Sequence, residues 1–425
     1  MICLADAGDP GFGSVRQILP AARQPYISSA RAFTPAMALR QHSPSRALSR
    51  RGTLAKRWKD TARGHLLNVG DTVLATPMET GPARFDFASD NTTGFCPPAL
   101  EAIEEANRDF VASYGEDNFT RRLCDRVREL FETDCEVFLV FNGTAANSLA
   151  LAQLCQPFHG IVCHRHAHIQ TDECGAPEFF TGGAKLILAE GEQGRIDPDE
   201  FQAIIARFRD LHSHKPRLLS LTQATEYGTV YRPDQIAALS EAAHGAGMLV
   251  YLDGARFANA AATLGTSPRD LSWRLGIDAM SFGGIKNGGG NAELIVFFKK
   301  ELAREFEYRL KQAGQLSSKM RFLAAPWLAL LGDDLWLGNA RHANACATAL
   351  SKELVRITNA PPAFPVEANA VFVSLSSGVY DRITRAGWRF YNFFEPGVYR
   401  LMCSWATSEE FIKEFARDLE ESIRS

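Results

Sequence analysis

Val137-Phe138-Leu139-Val140-Phe141 runs directly into Asn142-Gly143-Thr144-Ala145-Ala146-Asn147 and then into the small-residue stretch 148–154. Five apolar residues without alternation mark a strand covered on both faces. The polar turn with one glycine and the run of small residues after it then read as strand, tight turn, helix. The same unit recurs along the chain. Further strands are expected at 160–163, 185–188, 217–222, 248–252, 278–282 and 293–298, with helices between them at 198–210 and 233–246. Two helical patterns, 99–112 and 119–132, precede the first strand. Strands alternating with helices predict an α/β fold built on a mostly parallel seven-stranded sheet with helices on both faces. Past about 330 the order changes to a long helix near 333–356, a Pro-rich break at 361–365, strand 370–375, a helix near 378–387, a strand around 398–403 and a closing helix from 408. This predicts a smaller C-terminal α+β domain.

Length and charge refine the division. A chain of 425 residues supports two domains. Residues 1–77 hold 11 Lys+Arg against 4 Asp+Glu, whereas the remaining 348 hold 35 against 45. The basic head is rich in Ala, Ser, Pro and Arg and lacks a sustained apolar period. It reads as a disordered tail, as sequence upstream of the true start, or as an organelle-type transit peptide. The expected domains are therefore 1–77 as this extension, 78–98 as an arm at the active site, 99–330 as the large domain and 331–425 as the small one. No run of eighteen apolar residues exists, so no helix is expected to span a membrane. The net charge of -3 argues against a nucleic-acid surface. Nine scattered cysteines without a CxxC pair read as free thiols in a reducing compartment, which suggests the cytoplasm.

Functional residues of such a sheet gather at the carboxyl ends of its strands. Two of those ends carry the chemistry. Strand 248–252 leads into Asp253-Gly254-Ala255-Arg256, and strand 278–282 leads into Gly283-Gly284-Ile285-Lys286-Asn287-Gly288. A lysine between glycine pairs beyond a buried strand suits an amine that must form a carbon–nitrogen bond with a cofactor. Asp253 is placed to pair with a protonated ring nitrogen. The plainer readings are a loop lysine facing solvent or phosphate and a carboxylate capping a turn. Gly143 and Thr144 open a helix and suit a phosphate, although such turns often only cap. No nucleotide-binding glycine motif occurs at a strand–helix junction. His164, His166 and His168 alternate, but no carboxylate or cysteine stands at a spacing that selects a metal, and no metal is expected. His168, followed closely by Asp172 and Glu173, suits an imidazole laid over a flat ring. Arg256 and Arg400 suit a carboxylate, or else structural ion pairs.

These residues resemble the low-specificity L-threonine aldolase family, a fold type I pyridoxal-phosphate (PLP) group related to the β-eliminating lyases. The resemblance covers 85–425 and rests on Phe87-Ala88-Ser89-Asp90-Asn91, Tyr114-Gly115-Glu116-Asp117, 141–147, Ala167-His168, 252–257, 283–288 and Lys311-Gln312-Ala313-Gly314. It implies retro-aldol cleavage of L-threonine, allo-threonine or phenylserine to glycine and an aldehyde. Another PLP reaction such as β-elimination, or a non-enzymatic protein on the same scaffold, are the alternatives. By resemblance, Lys286 holds PLP covalently, Asp253 pairs with its ring nitrogen, His168 stacks on it, and Gly143 and Thr144 bind its phosphate. Arg321 is implied to reach a neighbouring subunit's phosphate. Arg256 contacts the cofactor's phenolic oxygen or the substrate carboxylate, and Ser89 and Arg400 hold that carboxylate. The family also implies a homo-oligomer, dimer or tetramer, with shared active sites. One departure stands out: Glu226 occupies the place where many relatives carry a second histidine. The expectation is that Glu226, or a water held by it or by the phosphate, takes the β-hydroxyl proton. Gly288-Gly289-Gly290 is expected to be an open turn that widens access to the cofactor.

Overall fold

The computed structural model describes residues 83–425 except 209 and 394, so the expectations for the basic head lie outside the described residues. Seven strands form the main sheet: β1 (Glu136–Val140), β2 (His159–His164), β3 (Lys185–Ala189), β4 (Lys215–Thr222), β5 (Leu249–Asp253), β6 (Ala279–Phe282) and β7 (Glu293–Phe297). Their order is β1-β7-β6-β5-β4-β2-β3. Pairings among β2 to β6 are parallel, while β7 runs antiparallel to both β6 and β1. Both faces are covered, which is why the strands read as continuous apolar runs. Along β5, Val250 and Leu252 enter one core cluster while Leu249 and Tyr251 enter the other.

Sequence and structure part at a few element ends. The helix expected over 99–112 stops at Ala106. Its apolar stripe ends there, Asp109 turns into the left-handed region, and Phe110 is fully exposed. The helix expected over 198–210 ends at Arg207. The helix Arg321–Leu330 was not foreseen, because its apolar residues run almost continuously and show no amphipathic period.

The smaller sheet is antiparallel, in the order β8-β10-β9: β8 (Ala370–Ser374), β9 (Tyr391–Asn392) and β10 (Val398–Met402). The 24-residue helix Leu335–Thr358 and the closing helix Glu409–Arg424 pack with it. The arm ahead of the main sheet joins this core. Phe87 stacks on Trp388 and meets Phe415 edge-on, and its carbonyl accepts the Met402 N–H at 2.9 Å. The arm thereby brings Ser89 and Asp90 to the edge where β2, β4, β5 and β6 end.

Two glycines fix the spacing at that edge. Gly283 N–H donates to the Gly254 carbonyl at 3.0 Å, and Gly254 N–H donates to Ser281 Oγ at 3.1 Å. A Cβ on Gly283 would collide with the Ala255 carbonyl oxygen, and one on Gly254 with the Ser281 carbonyl oxygen. Neither obstacle is a side chain that can swing aside. Gly283→Ala is expected to lower stability by about 2–3 kcal/mol, the scale of overpacking a rigid site. A urea-unfolding midpoint equal to that of the wild type would contradict this account.

Among the described residues no helix is long and apolar enough to cross a membrane, and the cysteines they contain are free.

Candidate active site

The ends of β2, β4, β5 and β6 and the arm enclose a cavity of about 280 Å³. Ser89, His168, Glu226, Arg256, Lys286 and Arg400 line it, with Asn91, Thr171, Asp172 and Phe393 at its walls. Six residues singled out in the sequence thus come together from across the chain.

Lys286 sits in the short turn Ile285–Asn287 that follows β6. Beneath this turn lies Glu293, the first residue of β7 and fully buried. Because β7 runs antiparallel, its beginning shares an edge with the ends of its neighbours. Glu293 Oε2 accepts the Gly284 N–H at 2.6 Å, and burial pushes its carboxyl up to about 7. The glycine run after the lysine differs from expectation. Instead of an open turn it is packed: Cys96 stands against Gly288, Leu330 against Gly289 and the Phe95 ring against Gly290. The glycines admit neighbouring side chains rather than solvent. Gly288 and Gly290 also lie at φ 93° and 82°, which glycine adopts without strain.

Asp253 ends β5 and is nearly inaccessible behind the cavity wall. Its Oδ2 accepts from Asn147 Nδ2 at 3.0 Å and its Oδ1 from the Ala255 N–H at 3.1 Å. Asn147 projects from the helix Gly143–Leu154, whose first turn is capped by Asn142 through Ala145 N–H. Gly143 and Thr144 open this helix half-buried, and a Cβ on Gly143 would meet open space. They do not line the cavity around Lys286. His168 starts the short helix after β2, and its Nδ1 lies 2.8 Å from Glu173 Oε1. Burial lowers the affinity of His168 for its proton, but the Glu173 hydrogen bond and the charges of Glu226 and Asp253 outweigh burial and raise it. The other two histidines of the alternating trio turn elsewhere. His164 Nε2 is 3.1 Å from the Gly191 carbonyl and His166 Nδ1 is 2.5 Å from the Tyr227 hydroxyl.

The two arginines differ in freedom. Arg256 donates from Nε and Nη2 to the two oxygens of Asp90, at 2.7 and 2.9 Å, in a buried bidentate pair. Asn369 Nδ2 also donates to Asp90, at 2.9 Å. Burial would raise the Asp90 carboxyl, but the charge and hydrogen bonds of Arg256 hold it down to about 2. Arg400 crosses the Phe393 ring at 4.1 Å, and its Nε is buried without a partner. Its Nη1 lies 3.9 Å from Glu226 Oε2. Glu226 is buried among Arg256, His168, Lys286 and Arg400. Burial opposes its ionisation, but these cations prevail and keep its carboxyl below the ordinary range. Ser89 Oγ accepts the Asn91 N–H at 3.1 Å. Arg321 stands apart from the cavity, donating from Nε to the Ala106 carbonyl at 2.9 Å.

Sequence reasoning missed four members of this arrangement as functional: Asp90, Asn147, Glu173 and Glu293. The first three lie inside or beside segments already singled out, and a polar residue facing inward was the only sign available.

The donor set fits a PLP-type cofactor on what is present. A primary amine faces a cavity, a buried carboxylate stands one strand away, and an unpartnered guanidinium Nε marks room for an anion.

Comparison with known proteins agrees. The model of the beta-eliminating lyase family matches residues 86–377. The low-specificity L-threonine aldolase of Pseudomonas aeruginosa is 53% identical over 333 residues, 78% of this chain and 96% of that protein. Its namesake from Saccharomyces cerevisiae is 24% identical, over 72% and 79% of the two chains. Among solved structures, a threonine aldolase of Leishmania major superposes with a TM-score of 0.73 at 26% identity, covering 80% of this chain and 98% of that one.

Proposed function

Since this chain belongs to the beta-eliminating lyase family, in its low-specificity L-threonine aldolase group, we infer that the cavity over Lys286 is where it cleaves threonine-like β-hydroxy-α-amino acids to glycine and an aldehyde. The chain is a PLP-dependent aldehyde-lyase. The observation that carries the site assignment is the meeting of Lys286, His168, Glu226 and Arg400 around one cavity.

Lys286 is the residue to hold the cofactor covalently, and Asp253 the one to pair with its ring nitrogen. His168 is suited to lie against the ring, Arg256 to face its phenolic side, and Gly143 and Thr144 to meet its phosphate. When bound, PLP supplies an electron-poor ring that accepts the electron pair released as the Cα–Cβ bond opens.

The chain's own groups do the rest. Arg400, whose Nε is buried without a partner, grips the substrate carboxylate, and Ser89 lines the same cavity. That grip fixes which bond at Cα stands perpendicular to the ring. Arg256 is a weaker candidate for the grip, because Asp90 already engages its Nε and Nη2. Glu226, held ionised beside Arg256, His168 and Arg400, takes the β-hydroxyl proton as the carbonyl of the departing aldehyde forms. Cα then receives a proton, and glycine leaves. No water is consumed.

Glu226→Gln keeps the shape and removes the base. It is expected to reduce kcat by about 10²–10⁴-fold with little change in KM. A kcat equal to that of the wild type would exclude the glutamate as base. Threonine turnover yielding ammonia and a keto acid, in place of glycine and acetaldehyde, would point to β-elimination instead.

Self-association belongs to the same reading. Leu100, Phe110, Val111 and Tyr114, near one another in sequence, are exposed apolar side chains, the kind of surface that a partner covers. We assign this surface to a second copy of the chain, within a dimer or tetramer, with Arg321 reaching the phosphate of the neighbouring site. Sedimentation at the mass of one chain throughout the micromolar range would exclude it. The free thiols and the lack of a spanning helix among the described residues support a cytoplasmic enzyme.

A further inference from the structure

Asn147 is a buried amide between two buried carboxylates. Its Nδ2 donates to Glu173 Oε1 at 2.7 Å and to Asp253 Oδ2 at 3.0 Å, which uses both of its hydrogens. Its Oδ1 accepts from the Tyr251 hydroxyl at 2.9 Å and from Ser281 Oγ at 3.4 Å. Acceptors on one side and donors on the other leave the amide a single orientation. The chain of contacts therefore runs without a gap from His168 Nδ1 through Glu173 and Asn147 to Asp253.

We propose that Asn147 is a positioning residue that couples the two ends of the active site, one amide holding both the carboxylate partner of His168 and the carboxylate of Asp253 in place. The proposal rests on the reading that His168 and Asp253 both face the cofactor.

Two physical arguments support it. Like charges buried this close repel, and a shared NH2 group is the smallest neutral device that satisfies both. Glu173 has in addition little else to hold it. Its Oε2 is buried without a partner, so Oε1 takes the bonds from both His168 and Asn147. Burial raises the Glu173 carboxyl, and the hydrogen bonds from His168 and Asn147 oppose that rise. Without Asn147 the balance moves toward a protonated, neutral Glu173, and the imidazole loses its nearest anion. The acidic groups facing His168 are Glu173, Asp172 at 3.6 Å from Nε2, Glu226 and Asp253, and the cations Arg256, Lys286 and Arg400 line the same cavity. Of these, only Glu173 is bonded to Asn147 and to the ring together.

The experiment compares the full-length wild type with Asn147→Ala and Tyr251→Phe, each with cofactor and stripped of it. The His168 imidazole is followed by NMR on histidine-labelled protein and assigned by its loss in His168→Asn. In the stripped protein the His168 titration midpoint is expected to move down in Asn147→Ala. It should move down less in Tyr251→Phe, which frees the amide to rotate but keeps it. Cofactor binding, read as a dissociation constant, is expected to weaken roughly tenfold in Asn147→Ala, the scale of one lost buried bond to a charged group. A folded Asn147→Ala protein with the wild-type midpoint would overturn the proposal. If that variant does not fold, an unmoved midpoint in Tyr251→Phe overturns it. The titration of stripped protein involves no cofactor, so failure of the cofactor reading shows elsewhere, as unchanged absorbance and turnover in Lys286→Ala.

Discussion

Lys286→Ala is expected to lose the visible absorbance of a lysine-bound cofactor and to fall in kcat by about three orders of magnitude or more. Among the described residues the lysine is the only primary amine lining the cavity, so no described neighbour can take over its bond. The geometry gives this prediction its sharpness. Gly284 and Ile285 hold the turn against Glu293, and Asn287 Nδ2 donates to the Trp336 carbonyl at 2.8 Å on the far side. The turn is anchored on both flanks of residue 286, and its side chain is not among the anchors. The variant should therefore fold as the wild type does, with an unchanged far-ultraviolet spectrum and melting temperature. A folded Lys286→Ala protein that kept both the absorbance and full turnover would end the functional reading given above.

Asp90→Asn is expected to cost about 3–5 kcal/mol of stability, the scale for removing one partner of a buried ion pair. Asp90 and Arg256 are both buried, and the arginine's bidentate grip is its principal anchor. The amide keeps the size of the carboxylate but leaves the guanidinium charge uncompensated. Because Asp90 in the folded state titrates at about 2, below its ordinary 3.8, its contribution is complete above that ordinary value. It is lost as pH falls toward about 2. Wild-type and variant stabilities, compared by urea unfolding from neutral pH downward, should therefore converge in acid. Parallel curves across that window would show that the pair contributes nothing through its charge. Activity should also suffer, since Arg256 borders the cavity and stands near Glu226.

These two residues differ in how far the sequence exposed them. Lys286 was legible because a charged residue between glycine pairs, directly after a buried strand, has few structural uses. Asp253 was legible as a carboxylate ending a buried strand, and the strands themselves were legible because burial on both faces leaves no polar alternation to confuse the period. Asp90 was quoted only as part of a recognisable segment. Its meaning depends on Arg256 and Asn369, far along the chain, and on an arm that packs into the small-domain core through Phe87. Local pattern carries no trace of such a meeting. The role of Arg256 stayed open for the same reason: its place after Asp253 allowed either a ligand contact in the cleft or a structural ion pair, and the structure shows its Nε and Nη2 engaged by Asp90. Asn147 lies inside the stretch that decided the fold, yet a helix interior gives no hint that an amide there spans two acids. The triple glycine after Lys286 misled for a related reason. Absence of side chains in a sequence suggests empty space, but in a packed protein other residues move in.

The contact between the loops after β5 and β6 carries a consequence for how such an enzyme can change. Main chain touches main chain there, through Gly254 and Gly283, so the separation of the two strand ends that carry Asp253 and Lys286 is set by backbone contact. Selection, or a protein engineer, can change the wall residues Phe393, Thr171 or Asp172 while that separation stays put. The walls of the cavity and the spacing of its two strand ends can then change independently, one written in replaceable side chains and the other in two positions that tolerate only hydrogen.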